Sequence, residues 1–165
     1  MGIKMSTIHP DRELRDFLTG KIVVGKSGGG TTPVTVYSDW ERPTNGLPTD
    51  FLVIYMNGNV EGVGTNTNYA SGYISVSLYC KMNSDGSVKA NRIDRILEQF
   101  ETLVDKKKTK NFFFSYDTER YITPTAPNQS SGYSTTTLNL MWHTTQNFNA
   151  EQESSGSGSG SAQGA

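Results

Sequence analysis

Two stretches of this chain carry residue types that could hold a phosphate or a nucleic acid. Gly20-Lys21-Ile22-Val23-Val24-Gly25-Lys26-Ser27 has the spacing of a phosphate-binding loop. Such a loop needs a strand before it and a helix directly after it, so that the helix N–H groups face the phosphates. Here a helix precedes the motif, and Gly28-Gly29-Gly30-Thr31-Thr32-Pro33, which cannot open a helix, follows it. Ile22-Val23-Val24 favours extended chain, so the motif reads as a strand and turn with no nucleotide cofactor. The second stretch, Lys106-Lys107-Lys108-Thr109-Lys110, is the one basic cluster in the sequence. At a helix C-terminus such cations complement the macrodipole, so its default role is a solvated helix end. Its alternative role is a contact with nucleic acid or an acidic partner surface.

Other reactive side chains are scattered. His9 and His143 have no neighbours at metal-ligand spacing, and no Gly-x-Ser-x-Gly elbow is present. Cys80 is the single cysteine, which rules out an intrachain disulfide. It falls in register with Ile74, Val76, Leu78 and Met82 and reads as a small buried hydrophobe. The aromatic run Asn111-Phe112-Phe113-Phe114-Ser115-Tyr116 lacks the glycines of an RNA-reading strand and reads as core. No enzyme site, cofactor or metal is therefore expected.

The elements around these residues are well marked. Pro10 opens a short helix over 10–19, with Asp11 and Glu13 in the first turn and Gly20 as its stop. Short strands are expected at 21–24 and 34–38. The apolar run 51–56 reads as a central strand covered on both faces. Residues 57–68, rich in Gly and Asn, read as a hairpin tip or arm. The run 73–82 alternates, with Tyr73, Ser75, Ser77, Tyr79 and Lys81 opposite the apolar set. Ser87 is the expected N-cap of an amphipathic helix over about 88–105, whose stripe is Ile93, Ile96, Leu97, Phe100, Leu103 and Val104. A strand at 112–116, a turn at 117–119, an extended piece at 121–123 and a loop at 124–132 follow. The last strand, 133–143, places Thr135, Thr137, Asn139, Met141 and His143 on one face. The order implies an α+β fold with a mainly antiparallel sheet and both helices on one side.

At 165 residues the chain fits one domain over 1–149, and residues 150–165 are a Ser/Gly-rich tail that cannot enter a core. A formal net charge of −1 argues against strong non-specific attraction to nucleic acid or to an acidic membrane. No apolar run approaches the length of a membrane span, and the N-terminus lacks a secretory signal's apolar core.

The layout resembles the tail-completion, or tail-terminator, proteins of long-tailed bacteriophages. The resemblance is carried by the N-terminal helix, the Leu47-Pro48-Thr49-Asp50-Phe51-Leu52-Val53-Ile54-Tyr55 entry strand and the Gly/Asn-rich arm. The strand from Gly72 to Tyr79, the helix after Asn83-Ser84-Asp85-Gly86 and the closing strand from Gly132 to Leu140 complete it. It implies a structural virion protein that forms a ring, commonly a homo-hexamer, on the last ring of the tail tube protein. Such a ring stops tube growth and meets the head–tail connector protein, while DNA passes through its channel. Another neck component is the alternative within that setting, and a small nucleic-acid-binding module the alternative outside it. The face carrying Tyr73, Tyr79, Thr135 and Thr137, with Lys106, Lys107 and Lys108, is the expected interface. A charge within the helix stripe would lie beneath the sheet, so Phe100→Asp is expected to unfold the domain. The check is loss of the cooperative thermal transition by circular dichroism.

Overall fold

The computed structural model describes residues 9–62, 69–116, 125–128 and 132–145. Its elements in chain order are α1 (Pro10–Leu18), β1 (Val23–Gly25), β2 (Thr31–Pro33), β3 (Thr35–Ser38), β4 (Asp50–Gly62) and β5 (Ala70–Lys81). After them come α2 (Ala90–Val104), β6 (Lys107–Lys108), β7 (Phe112–Tyr116), β8 (Thr125–Asn128) and β9 (Tyr133–Thr144). A 3-10 turn, Asp39–Glu41, follows β3. The expected turn at 117–119, the extended piece at 121–123 and the 150–165 tail lie outside the described residues.

β1 and β2 form a separate hairpin, and the other strands form one sheet in the order β3-β4-β5-β9-β7-β6. β8 pairs with the first part of β9, on the edge that β7 takes farther along. The α+β, mainly antiparallel class expected from sequence is overturned. The chain is mostly β, with a curled mixed sheet and only two α-helices among the described residues. The sheet is mixed because β3 runs parallel to β4, Thr35 opposite Phe51 and Ser38 opposite Ile54. The 39–49 connection carries the chain back to the end of the sheet it came from, as parallel pairing requires. The strand share is larger than expected because β2, β6 and β8 are short pieces rich in Thr, Pro or Lys. β4 also continues to Gly62 through a register shift after Asn57, taking up part of the expected arm. Nor is β4 central, since only β3 lies outside it.

One apolar core fills the side of the sheet that faces the helices. Leu14 and Leu18 of α1, Ile93, Ile96, Leu97, Phe100 and Val104 of α2, and Leu52, Ile54, Ile74, Val76, Leu78, Leu140 and Trp142 of the sheet belong to this one core. The helix stripe thus lies where its spacing put it, and Cys80 is fully buried with it. Met82, expected to share that face, falls beyond the end of β5. Ser87 does not cap α2. Its hydroxyl and N–H bond Asp85 at 2.6 and 2.9 Å, and Lys89 takes the N-cap position. The polar turn captured the serine before the helix could, the local competition that makes such residues ambiguous at helix starts.

Gln99 ties α2 to the small hairpin. Its side-chain amide accepts from the Val23 N–H and donates to the Val23 carbonyl, both at 3.0 Å, as a neighbouring strand would. On the large sheet, Gly72 sits opposite Trp142, and a Cβ at Gly72 would lie 2.9 Å from Trp142 Cζ2. The buried indole has no room to withdraw, so Gly72→Ala is expected to lower stability by about 1–3 kcal/mol. The measurement is the urea midpoint, with the slope of the transition unchanged.

Candidate functional site

The face of the sheet away from the helices is built in rows across β4, β5 and β9. The pairings align Phe51 with Tyr79 and Thr135, Val53 with Ser77 and Thr137, Tyr55 with Ser75 and Asn139, and Asn57 with Tyr73 and Met141. Tyr73, Tyr79, Thr135 and Thr137, the four expected interface residues of the sheet, therefore share one face. They are not equally available. Tyr79 stacks flat on Phe51 at 4.8 Å, while Tyr37 and Tyr133 meet the same ring edge-on at 6.0 and 5.5 Å. The Tyr79 and Tyr55 hydroxyls are 3.0 Å apart, and Tyr133 donates to the Pro48 carbonyl at 2.9 Å. Burial and the Tyr79 hydroxyl both push the Tyr55 phenol pKa upward. Phe51 is only 1% exposed. This end of the face is a small aromatic core of its own, and Tyr79 belongs to it.

The middle of the face is a polar ladder. Asn57 donates to Ser75, Ser75 donates to Asn139 Oδ1 at 2.6 Å, and the Ser77 and Thr137 hydroxyls are 2.8 Å apart. At the far end, Met141 is exposed and His143 stacks with Phe113 at 5.0 Å. Phe113 is the member of the aromatic run that the core reading missed: Phe112 and Phe114 are buried and Phe113 points the other way.

The lysine cluster is not a plain helix end. Lys106 takes φ 51°, which turns the chain out of α2, and Lys107 and Lys108 then form edge strand β6 against β7. Alternation splits them. Lys107 lies over the Phe17 ring at 4.8 Å, and Lys108 stands opposite Phe113. Lys106 and Lys108 are exposed.

A second surface had no counterpart in the expected site. Trp40, in the 3-10 turn after β3, is 90% exposed. Beside it is a cleft of about 420 Å³ whose lining includes Asp11, Asp39, Tyr55, Met56 and Asn57. β3 stops pairing at Ser38 and Ile54. Among the described residues nothing continues its place along β4, so the backbone edge from Tyr55 to Asn57 opens into this cleft. Arg15 of α1 forms an ion pair with Glu41 and fixes the turn that carries Trp40. A signal was present in the sequence: a tryptophan between Asp39 and Glu41 in a polar connection has no core to join.

The motif 20–27 falls on the β1–β2 hairpin. Gly25 ends β1, and the Lys26 N–H closes the turn on the Gly30 carbonyl at 3.0 Å. Nearby, Asp50 is held inside the fold. Arg92 donates to its Oδ2 from Nε at 2.9 Å and from Nη2 at 2.6 Å, and reaches the Gly25 carbonyl at 3.1 Å. Cys80 donates its thiol proton to Asp50 Oδ1 at 3.0 Å. The bond to Asp50 pushes the Arg92 pKa up. Burial first, and then the bond to Asp50, push the Cys80 thiol pKa up from its ordinary 9.0. This trio pins the start of α2 to β4, β5 and the hairpin. Among the described residues no group of three His, Cys, Asp or Glu side chains is placed to hold a metal ion, and none of their helices is long and apolar enough to cross a membrane.

Compared with protein-family models, curated proteins and solved structures, the chain matches none of them.

The Cys80 environment gives a pH dependence. The folded thiol keeps its proton at pH values where the unfolded thiol has lost it, so the unfolded state binds fewer protons and stability falls as pH rises. The contribution is complete below about pH 9 and declines above it, with a limiting slope of about 1.4 kcal/mol per pH unit for one proton. Urea unfolding between about pH 9 and pH 10 is expected to be shallower in pH dependence for Cys80→Ala, by about half a proton at pH 9 rising toward one proton at pH 10.

Proposed function

We propose that this chain is a structural assembly subunit: a tail terminator that closes into a ring on the end of a bacteriophage tail tube and presents a surface to the head–tail connector. DNA then passes through the ring as a transient contact, and its working location is the virion. The observation that carries the reading is Trp40. An indole left 90% in water, in a turn that the Arg15–Glu41 pair joins to α1, suits a protein-binding anchor. Tryptophans in such settings dominate interface energies once a partner removes the water.

Three further features support assembly. The helix-free face ends in Met141, Phe113 and His143, a patch with apolar area and a polar margin. Among the described residues no strand lies beyond β3 or β6 in the sheet, and an uncovered edge invites strand pairing with another chain. The order of α1, β4, β5, α2 and β9 follows the layout on which the resemblance to tail terminators rests.

The test is a mass measurement. The purified chain, alone over a range of concentrations and mixed with purified tail tubes, is expected to give a ring-sized species by mass photometry and a cap on tube ends by electron microscopy. A chain that stays monomeric and ignores tubes overturns the proposal. Replacing Lys106, Lys107 and Lys108 with Glu is expected to leave the far-ultraviolet spectrum unchanged and to reduce ring formation. Unfolding of that variant would instead assign the cluster a structural role.

A further inference from the structure

A cleft of about 450 Å³ lies between the β1–β2 hairpin, the start of β4 and the start of α2. Its charged lining residues are Lys26 on the hairpin turn, Lys89 at the N-cap of α2, Arg92 in the first turn of α2, and Asp50. Asp50 is the only carboxylate in that lining, and both of its oxygens are taken. Arg92 holds Oδ2 through two nitrogens, and the Cys80 thiol holds Oδ1. Arg92 and Asp50 thus offset each other. Lys26 and Lys89 form no ion pair among the described residues, so their charges stay unbalanced.

The rest of the lining suits an anion. Ser27, Thr32, Thr35 and Thr49 bring hydroxyls to the cleft, and each can donate to an oxyanion. Arg92 keeps N–H groups beyond those bonded to Asp50 and to the Gly25 carbonyl. Lys89 is half-buried, and its field reaches inward to the Cys80 thiol, whose pKa it lowers against the larger effect of burial. α2 also begins here with no acidic residue in its first turn and no side-chain cap, so its N–H groups add to the positive field that the lysines set.

We infer that this cleft binds a phosphate group, with Lys26 and Lys89 as the charges that hold it and the lining hydroxyls as further donors. The cations come from two sides, the hairpin and α2. A tetrahedral phosphate offers acceptor oxygens in several directions, whereas a carboxylate offers them in one plane, and a lysine serves a phosphate as a point charge. This is not the phosphate-binding loop that residues 20–27 spell. The Lys26 N–H closes the hairpin turn on the Gly30 carbonyl, so Lys26 acts through its ammonium and its partner cation comes from a distant helix. Every residue belongs to one chain, so the site is complete in a monomer and does not depend on the ring reading.

The probe is inorganic phosphate, titrated into the full chain at constant ionic strength by exchange for chloride and followed by amide NMR shifts. Saturable shifts are expected at Gly25–Ser27 and at Lys89–Arg92. The Lys26 and Lys89 side chains hold no hydrogen bond or ion pair among the described residues, so Lys26→Ala and Lys89→Ala are expected to fold normally by circular dichroism. Each is expected to weaken phosphate binding by about tenfold, and the double variant to abolish saturation. Lys108→Ala, on β6, is expected to bind as the wild type does. A short DNA duplex that displaces the phosphate assigns the group to a nucleic-acid backbone, and one that does not assigns it to a small phosphate ester. Shifts that rise linearly without saturating, or that fall on other residues, overturn the site even if a variant fails to fold. Folded lysine variants that bind as tightly as the wild type overturn it too, and an equal response to acetate overturns its assignment to phosphate.

Discussion

The pairing of β5 residues 71–81 with β9 residues 133–143 is the interaction on which the rest of the molecule depends. It fixes which side chains face the helices. A slip of one residue would turn Leu138 and Leu140 away from Val76 and Ile74 and bring Thr137 and Asn139 into the core. Each strand then recruits its other neighbour: β5 holds β4, and β9 holds β7 and β8 in turn along one edge. The packing of Trp142 over Gly72 lies inside this pairing, and the Ser77–Thr137 and Ser75–Asn139 bonds stitch its outer side. The same register that buries the apolar stripe thus lays out the polar ladder.

Much of this was legible because it rests on periodicity. α2 could be placed from Ile93, Ile96, Leu97 and Phe100, and β5 and β9 from clean alternation. α1 had a proline start and a glycine stop. Four expected interface residues fell on one face for the same reason. What was not legible depends on partners distant in sequence. The parallel pairing of β3 with β4 leaves no local mark. β2 and β8 contain Pro33 and Pro127, and β6 is two lysines, so neither composition nor length announced a strand. Alternation also treats every outward residue alike. It could not show that Phe51, read as one more apolar residue in a strand, would draw Tyr37, Tyr79 and Tyr133 into a second small core. Tyr79, expected on a partner-facing surface, packs on Phe51 within its own chain. Trp40 fits no period, and its charged flanks are its only mark in the sequence.

The Asp50–Arg92–Cys80 trio shows how chemistry-bearing residues are absorbed into structure. The Asp50 side chain is 4% exposed, and it is stabilised by a two-pronged guanidinium and a thiol proton. A carboxylate buried this deeply needs its cation close by, since removal of one partner leaves an uncompensated charge. Arg92 also holds the Gly25 carbonyl, so the residues that spell a phosphate-loop pattern serve instead as the landing point of a helix. The motif's lysine and serine lie on the hairpin turn and line one cleft with Lys89, the N-cap of α2, and with Arg92, whose guanidinium is held by Asp50 and the Gly25 carbonyl.

Among the described residues the sheet does not close on itself, and that follows from the way the core is filled. A curled sheet can remove its edges by closing into a barrel, and here the core prevents that. Two helix stripes need the enclosed space, and the polar side of α1 is bonded to Glu41 in the turn after β3 and to Asn111 just before β7. What the helices gain in burial, the sheet loses in closure.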